Sequence, residues 1–232
     1  MTSSSRPRAM ISRSALAAAA AAAVDAGGRI ADLRRDAWGH GVLAIAHAVT
    51  GAGAAAVLVD YPEEAEALRL EGIEAVTAGT ADIDPLLLYG LPDADGTLRT
   101  APVMRLAGRI LSTKPLKAGD AVSYGYTHRA QSDTTAALIT GGYAQGIVRA
   151  LGNAADVEIE GVQRPIVGRV AMDVCVIDLQ DATDLEPGVE ATYFGGRGPA
   201  AVGLAHWSAV TGLTVGELIT VAGSHAQRGW EA

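Results

Sequence analysis

Two glycines stand directly before a tyrosine at Gly141-Gly142-Tyr143, so the chain can turn sharply and present a phenol outward. A free phenol titrates near pH 10, so Tyr143 works as an acid or base at neutral pH only beside a cation. A tyrosine packed at a β-turn is the plainer reading of the same residues. Met172 and Asp173 close the run Gly168-Arg169-Val170-Ala171-Met172-Asp173, which reads as a strand. A strand-core methionine and an exposed aspartate explain the pair nearly as well as substrate contact does, and Arg169 reads as an ion-pair partner. Only two lysines, Lys114 and Lys117, stand against sixteen arginines, which confines Schiff-base chemistry to these side chains and the N-terminus. His40 reads as a loop histidine bonding backbone groups. His47, His128 and His206 are isolated, and no metal-ligand spacing exists. A phosphate-binding loop, a dinucleotide fingerprint and a hydrolase elbow are likewise absent from the sequence.

The elements that must position these residues fall into two styles. Residues 1–10 read as a polar, basic, disordered lead-in, and Ser14–Ala26 as an alanine-rich helix stopped by Gly27-Gly28. Arginines before an alanine run imitate a secretion signal, but alanine makes a poor apolar segment, so the run is taken as a helix. A strand at Ile30–Leu33, a polar loop and a helix at Val42–Thr50 make one βα unit. A strand at Ala54–Asp60, a helix at Tyr61–Gly72 and a strand at Ile73–Thr77 repeat the period. Pro62, Glu63 and Glu64 suit a helix start, and Gly72 its end. After a polar linker at Pro92–Thr100 the pattern turns to strands: Val103–Leu111, a Lys114–Gly119 turn, Ala121–Tyr126, Thr134–Thr140, Val157–Ile159, Ile166–Leu179 and Glu190–Phe194. Short helices follow at Leu204–Thr211 and Val215–Val221.

Composition excludes several functions. A net charge of −8 without a basic stripe argues against nucleic acid as the main partner. The lone cysteine, Cys175, excludes an internal disulfide and fits a reducing cytoplasm. No apolar run reaches membrane-spanning length, so no membrane partner is expected.

Val122–Ala130 together with Gly141–Asp173 resembles the C-terminal β domain of alanine racemases, fold-type III pyridoxal 5'-phosphate (PLP) enzymes. The resemblance makes Tyr143 the acid/base acting on one face of the substrate, and has Met172 and Asp173 orient the substrate. Asp36-Ala37-Trp38-Gly39-His40-Gly41 is similar to the family's first βα loop. That alignment puts the family's Schiff-base lysine on Arg34 and its tyrosine on Trp38. In the tail, His225 falls where relatives carry a tyrosine that caps the PLP phosphate, and Arg228 keeps one of their basic pair. Asp84–Leu91 resembles the family's last barrel segment without its Arg-Pro-Gly. Gln145-Gly146-Ile147 replaces the family's Asp-Gly-Tyr.

The implied fold is α/β plus β. A truncated (β/α) barrel remnant at 10–91, with about four strands and two open edges, precedes an alanine-racemase-type β domain at 98–232. Arginine keeps its proton and forms no aldimine, so no cofactor is expected for this chain and the implied function is a catalytically degenerate racemase homologue. Its role would be binding, regulatory or hetero-oligomeric, as a homodimer or with a racemase-like chain, around a small amino-acid ligand. The alternative is an active PLP-dependent racemase with atypical cofactor anchoring; a decayed gene product without a selected role is a third reading.

Overall fold

The computed structural model describes residues 6–123, 125–180 and 185–232. Strand β1 (Arg8–Ser12) leads straight into helix α1 (Arg13–Asp25). The Ser12 hydroxyl caps α1 by accepting from the Ala15 N–H at 3.2 Å. Leu16, Ala19, Ala20 and Ala23 form its buried stripe at helical spacing. The expected disordered lead-in is therefore corrected from Arg8 onward, because alternate residues of β1, Ala9 and Ile11, are fully buried. Residues 1–5 of that lead-in lie outside the described residues.

Strand β2 (Ile30–Asp32), the turn α2 (Arg34–Trp38), α3 (Val42–Gly51), β3 (Ala56–Leu58), α4 (Pro62–Leu70) and β4 (Ala75–Val76) follow. β2, β3 and β4 form a parallel sheet in that order, three strands among the described residues rather than about four. All three residues of β3 are buried, as a central parallel strand requires. The edges expected to be open are blunted. Asp82 accepts from the N–H groups of Arg29 and Ile30 at 2.8 and 2.7 Å, and Asp82 and Ile83 donate back to the Ile30 carbonyl. On the other side, Arg69 covers the Ala75 carbonyl at 2.6 Å. Asp84–Leu91 holds a helical turn, α5 (Pro85–Leu88), because Asp84 caps it and Pro85 takes the first position.

The second part is antiparallel except for its last strand: β5 (Met104–Leu116), β6 (Ala121–Val122), β7 (His128–Arg129), β8 (Thr134–Thr140), β9 (Asp156–Ile159), β10 (Val162–Val167), β11 (Val174–Asp178), β12 (Glu190–Phe194) and β13 (Gln227–Glu231). The order β12-β9-β10-β11-β8-β5 closes on itself, since β12 also pairs with β5. Closure into a six-stranded barrel removes the exposed edges of an open sheet. β1 pairs with β5 and then with β13, so the polar-looking tail is a strand laid parallel to the first. β5 runs unbroken through Lys114, placing that lysine opposite Ala136 in the sheet; the turn begins only at Lys117. Ile166–Leu179 is not one strand but the two strands β10 and β11, joined where Gly168 takes φ +72°.

Helices α6 (Gly203–Thr211) and α7 (Val215–His225) close the barrel on one side. Trp207 stands edge-on to Phe194 at 5.4 Å and to Tyr193 at 6.2 Å. One core runs continuously from Ala9 and Ile11 through the parallel sheet to Leu218 and Ala222, so both parts share it, and a smaller second cluster gathers Leu116, Val122, Ala130, Ala136 and Val167.

Candidate functional site

Arg35, Asp36, Ala37 and Trp38 have φ between 52 and 55°, a left-handed turn built without glycine. Each such residue costs about 1–2 kcal/mol, so the surroundings must hold it. Asp36 accepts from the Val42 N–H at 2.8 Å and is ion-paired to Arg228, which also donates to the Gly39 carbonyl at 3.2 Å. His40 lies fully buried beneath, its Nδ1 2.9 Å from the Ala37 carbonyl, which assigns the proton to Nδ1. Burial pushes the imidazole down to about 4, so it is neutral, and Nε2 has no partner among the described residues. Tyr89, also fully buried, stacks on His40 at 4.5 Å and on Trp38 at 5.3 Å, and donates to the Asp32 carbonyl at 3.0 Å.

Arg34 stands just past β2. Its Nε and Nη2 grip both oxygens of Asp32 at 2.9 and 2.6 Å. Burial would raise the Asp32 carboxyl, but the Arg34 hydrogen bonds and charge outweigh it and hold it below the usual range. The same hydrogen bonds raise the Arg34 guanidinium further, so it is a fixed cation and no nucleophile.

The Tyr143 turn is clamped from below. A Cβ on Gly142 would lie 2.4 Å from the carbonyl oxygens of Ala171 and Met172, and one on Gly141 would lie 2.7 Å from the Tyr193 hydroxyl. Tyr143 and Ala144 donate through their N–H groups to the carbonyls of Ala171 and Met172 at 2.9 and 3.0 Å. Gln145 accepts from the Gly142 N–H at 2.9 Å and donates to Asp173 at 2.7 Å, tying the turn to the β10–β11 connection. Cys175 donates to the Gly141 carbonyl at 3.2 Å; burial pushes its thiol up to about 12, so it is inert. The Tyr143 ring remains 40% exposed, with the Arg149 guanidinium 5.2 Å from its centroid.

The left-handed turn, the Tyr143 turn and α7 meet around a cleft of about 1010 Å³ lined by Arg35, Trp38, Tyr143, Arg149, Leu218 and Val221, among others. The structure thus brings Trp38 and Tyr143 to one cavity. Arg34, Met172, Asp173 and His225 are not among its lining residues. Met172 is exposed on the connection beneath Tyr143, and His225 is exposed at the end of α7. Arg35 and Arg149 were not singled out in the sequence. No group of metal-ligating side chains exists among the described residues, and no described helix is long and apolar enough to cross a membrane.

The model of the family "Alanine racemase, C-terminal domain" matches residues 103–230, more than half of the chain. The chain belongs to the alanine racemase family. An alanine racemase of Mycolicibacterium vanbaalenii is 45% identical over 101 residues, covering 43% of this chain and 26% of that protein. The chain spans about a third of the length of the other curated alanine racemases it matches. The alanine racemase of a D-cycloserine-producing Streptomyces lavendulae superposes with a TM-score of 0.84 at 20% identity, over 99% of this chain and 98% of that one. That of Bartonella henselae, solved with covalently bound pyridoxal phosphate, gives 0.77 at 18% identity over 97% and 99%. At these identities the superpositions establish the alanine racemase fold.

The side chains present do not fit covalently held pyridoxal phosphate. An aldimine needs a lysine amine; Lys117 is ion-paired to Asp133 at 2.8 Å, Lys114 lies in β5, and neither lines the cleft.

Proposed function

We propose that this alanine racemase family member is catalytically degenerate and acts as a binding, regulatory or hetero-oligomeric partner. The observation that carries the reading is Arg34, gripped by Asp32 at the position the family resemblance gives to the Schiff-base lysine. In this reading, residues 10–91 are a truncated barrel remnant and residues 98–232 the family's β domain. Tyr143 is the inherited acid/base, Arg34, Trp38 and His225 mark the old cofactor side, and Met172 and Asp173 the old substrate side. The free, buried thiol of Cys175 suits a reducing cytoplasm.

Self-association, or pairing with a racemase-like chain, is part of the proposal. Its support is the family's use of the β domain to complete a partner's site, not open sheet edges, since both are blunted. Light scattering at micromolar concentration should give a mass above that of the monomer; a monodisperse monomer that also ignores an intact racemase would remove this part.

An active PLP-dependent racemase is the second reading, favoured by the alanine racemases among its relatives and by the accessible Tyr143 ring. Incubation with PLP, followed by a visible spectrum and borohydride reduction, separates the two. The proposal expects no aldimine band, no reduced adduct on Lys114 or Lys117, and no interconversion of L- and D-alanine. A trapped lysine adduct with turnover would establish the second reading.

A further inference from the structure

The barrel has no edges, because β12 returns to β5, and those of the parallel sheet are covered by Asp82 and Arg69. The eight-stranded order ends instead on β13, which has β1 on one side and no strand on the other among the described residues. The Gln227 N–H donates to the Pro7 carbonyl at 2.9 Å, so the backbone of Gln227 faces β1. Alternation along the strand turns Gly229 and Glu231 the same way, and leaves the N–H and C=O of Arg228 and Trp230 pointing outward. Those four groups make no hydrogen bond among the described residues. Unpaired groups in such a row are a template for another strand, and β13 has neither the proline nor the lysine that commonly guards an edge.

The strand is complementary to itself. Two copies laid antiparallel about Gly229 bring Arg228 opposite Trp230 and Gln227 opposite Glu231. Arg228 and Trp230 then exchange both backbone hydrogen bonds with each other across the axis. A shift of two residues in either direction keeps only one such pairing within the strand. Gly229 meets its own counterpart with no side chain between them. Arg105 holds one oxygen of Glu231 at 3.1 Å, which leaves the other for the Gln227 amide. The Arg228 guanidinium is engaged with Asp36, so its aliphatic stem is what packs on the opposite Trp230. Beside this edge a groove of about 420 Å³ runs between β13 and α3, walled by Val42, Leu43, Ala44 and Trp230. Leu43 is 48% and Trp230 37% exposed, and a second copy would cover both.

We propose that β13 pairs with β13 of a second copy of this chain, antiparallel about a two-fold axis at Gly229, so that one sheet runs through both copies. The contact is isologous: each edge consumes the other, and assembly through it stops at the pair. Arg228, Trp230 and Leu43 do not line the cleft. The surface is therefore separate from the Tyr143 turn and independent of pairing through the β domain.

The test uses the full chain, with mass followed by light scattering from micromolar concentration upward and amide hydrogen exchange read residue by residue. The parent should form a reversible dimer. Its Arg228 and Trp230 amides should exchange at least about tenfold faster on dilution to monomer, while the Gly229 amide, bonded to β1, keeps its protection. Trp230→Pro removes an outward donor without touching the pairing with β1, at a place where an edge strand tolerates proline, and should weaken the dimer at least about tenfold. Gln227→Glu sets carboxylates opposite Glu231 and should weaken the dimer, whereas Gln227→Lys should strengthen it. These two exposed changes keep the test decisive even where proline disturbs the strand. A monodisperse monomer throughout would overturn the proposal and leave the edge to an extended segment of another protein. A dimer indifferent to both Gln227 changes, with freely exchanging Arg228 and Trp230 amides, would also overturn it and assign pairing to the β domain. Neither result touches the spectral test with PLP, so catalytic loss is judged separately.

Discussion

The guanidinium of Arg228, from the last strand, is ion-paired to the carboxylate of Asp36 in the left-handed run Arg35–Trp38. It also holds the Gly39 carbonyl at 3.2 Å, while Asp36 caps the Val42 N–H of α3. The strained turn that carries Arg35 and Trp38 into the cleft is thus fastened by the C-terminal strand, 192 residues away in sequence.

Arg228→Gln should therefore destabilise the protein by about 1–2 kcal/mol, the lower part of the range for charged hydrogen bonds because both partners are partly exposed. Asp36→Ala should cost more, since it also uncaps α3. Thermal melts followed by circular dichroism check the order; equal, negligible shifts would mean that the turn holds itself.

His40 gives stability a defined pH dependence. Its imidazole titrates at about 4 in the folded protein, against about 6.5 unfolded. A depressed base binds fewer protons folded than unfolded, so its contribution is complete above about pH 6.5 and is lost as the pH falls through that value toward 4. The loss should reach about 3 kcal/mol across the window. Urea unfolding from pH 7 to pH 4 should show this slope, and His40→Gln should flatten it whatever its effect on absolute stability.

Tyr143→Phe should leave stability within about 0.5 kcal/mol of the parent. The hydroxyl makes no hydrogen bond among the described residues, and the ring contact with Arg149 survives the change. A clear fall in melting temperature would make the hydroxyl structural and take away the reason to regard Tyr143 as an inherited proton-transfer group.

Gly142→Ala should cost at least about 1–3 kcal/mol, because its Cβ would press on two carbonyl oxygens that are already fixed as acceptors. A folded variant with unchanged stability would show that the connection beneath the turn is pliable.

The sequence by itself determined the features that are local. Alanine's helix propensity and Gly27-Gly28 marked α1, Pro62 and the glutamates marked the start of α4, and alternating residues marked β8 and β12. The Gly-Tyr-Ala-x-Gly and Gly-Arg-x-x-Met-Asp runs carried the family, and the Asp-Ala-x-Gly-His-Gly run aligned Arg34 with the missing lysine. Features set by pairing across long sequence separations lay beyond it. Arg8–Ser12 and Gln227–Glu231 look polar because one face of each meets solvent, and only the antiparallel pairing of the first with β5 and their parallel pairing with each other make them strands. The β10–β11 break is hidden in an apolar run because Gly168 and the clamp under Tyr143, not hydrophobicity, decide where the chain reverses. Side-chain chemistry also resolved only in three dimensions. Asp82 closes a sheet edge, Gln145 replaces the family's aspartate by bridging to Asp173, and Glu217 is consumed at a helix cap. A charge's meaning depends on which donor or acceptor folding places within 3 Å of it, and periodicity carries no record of that distance.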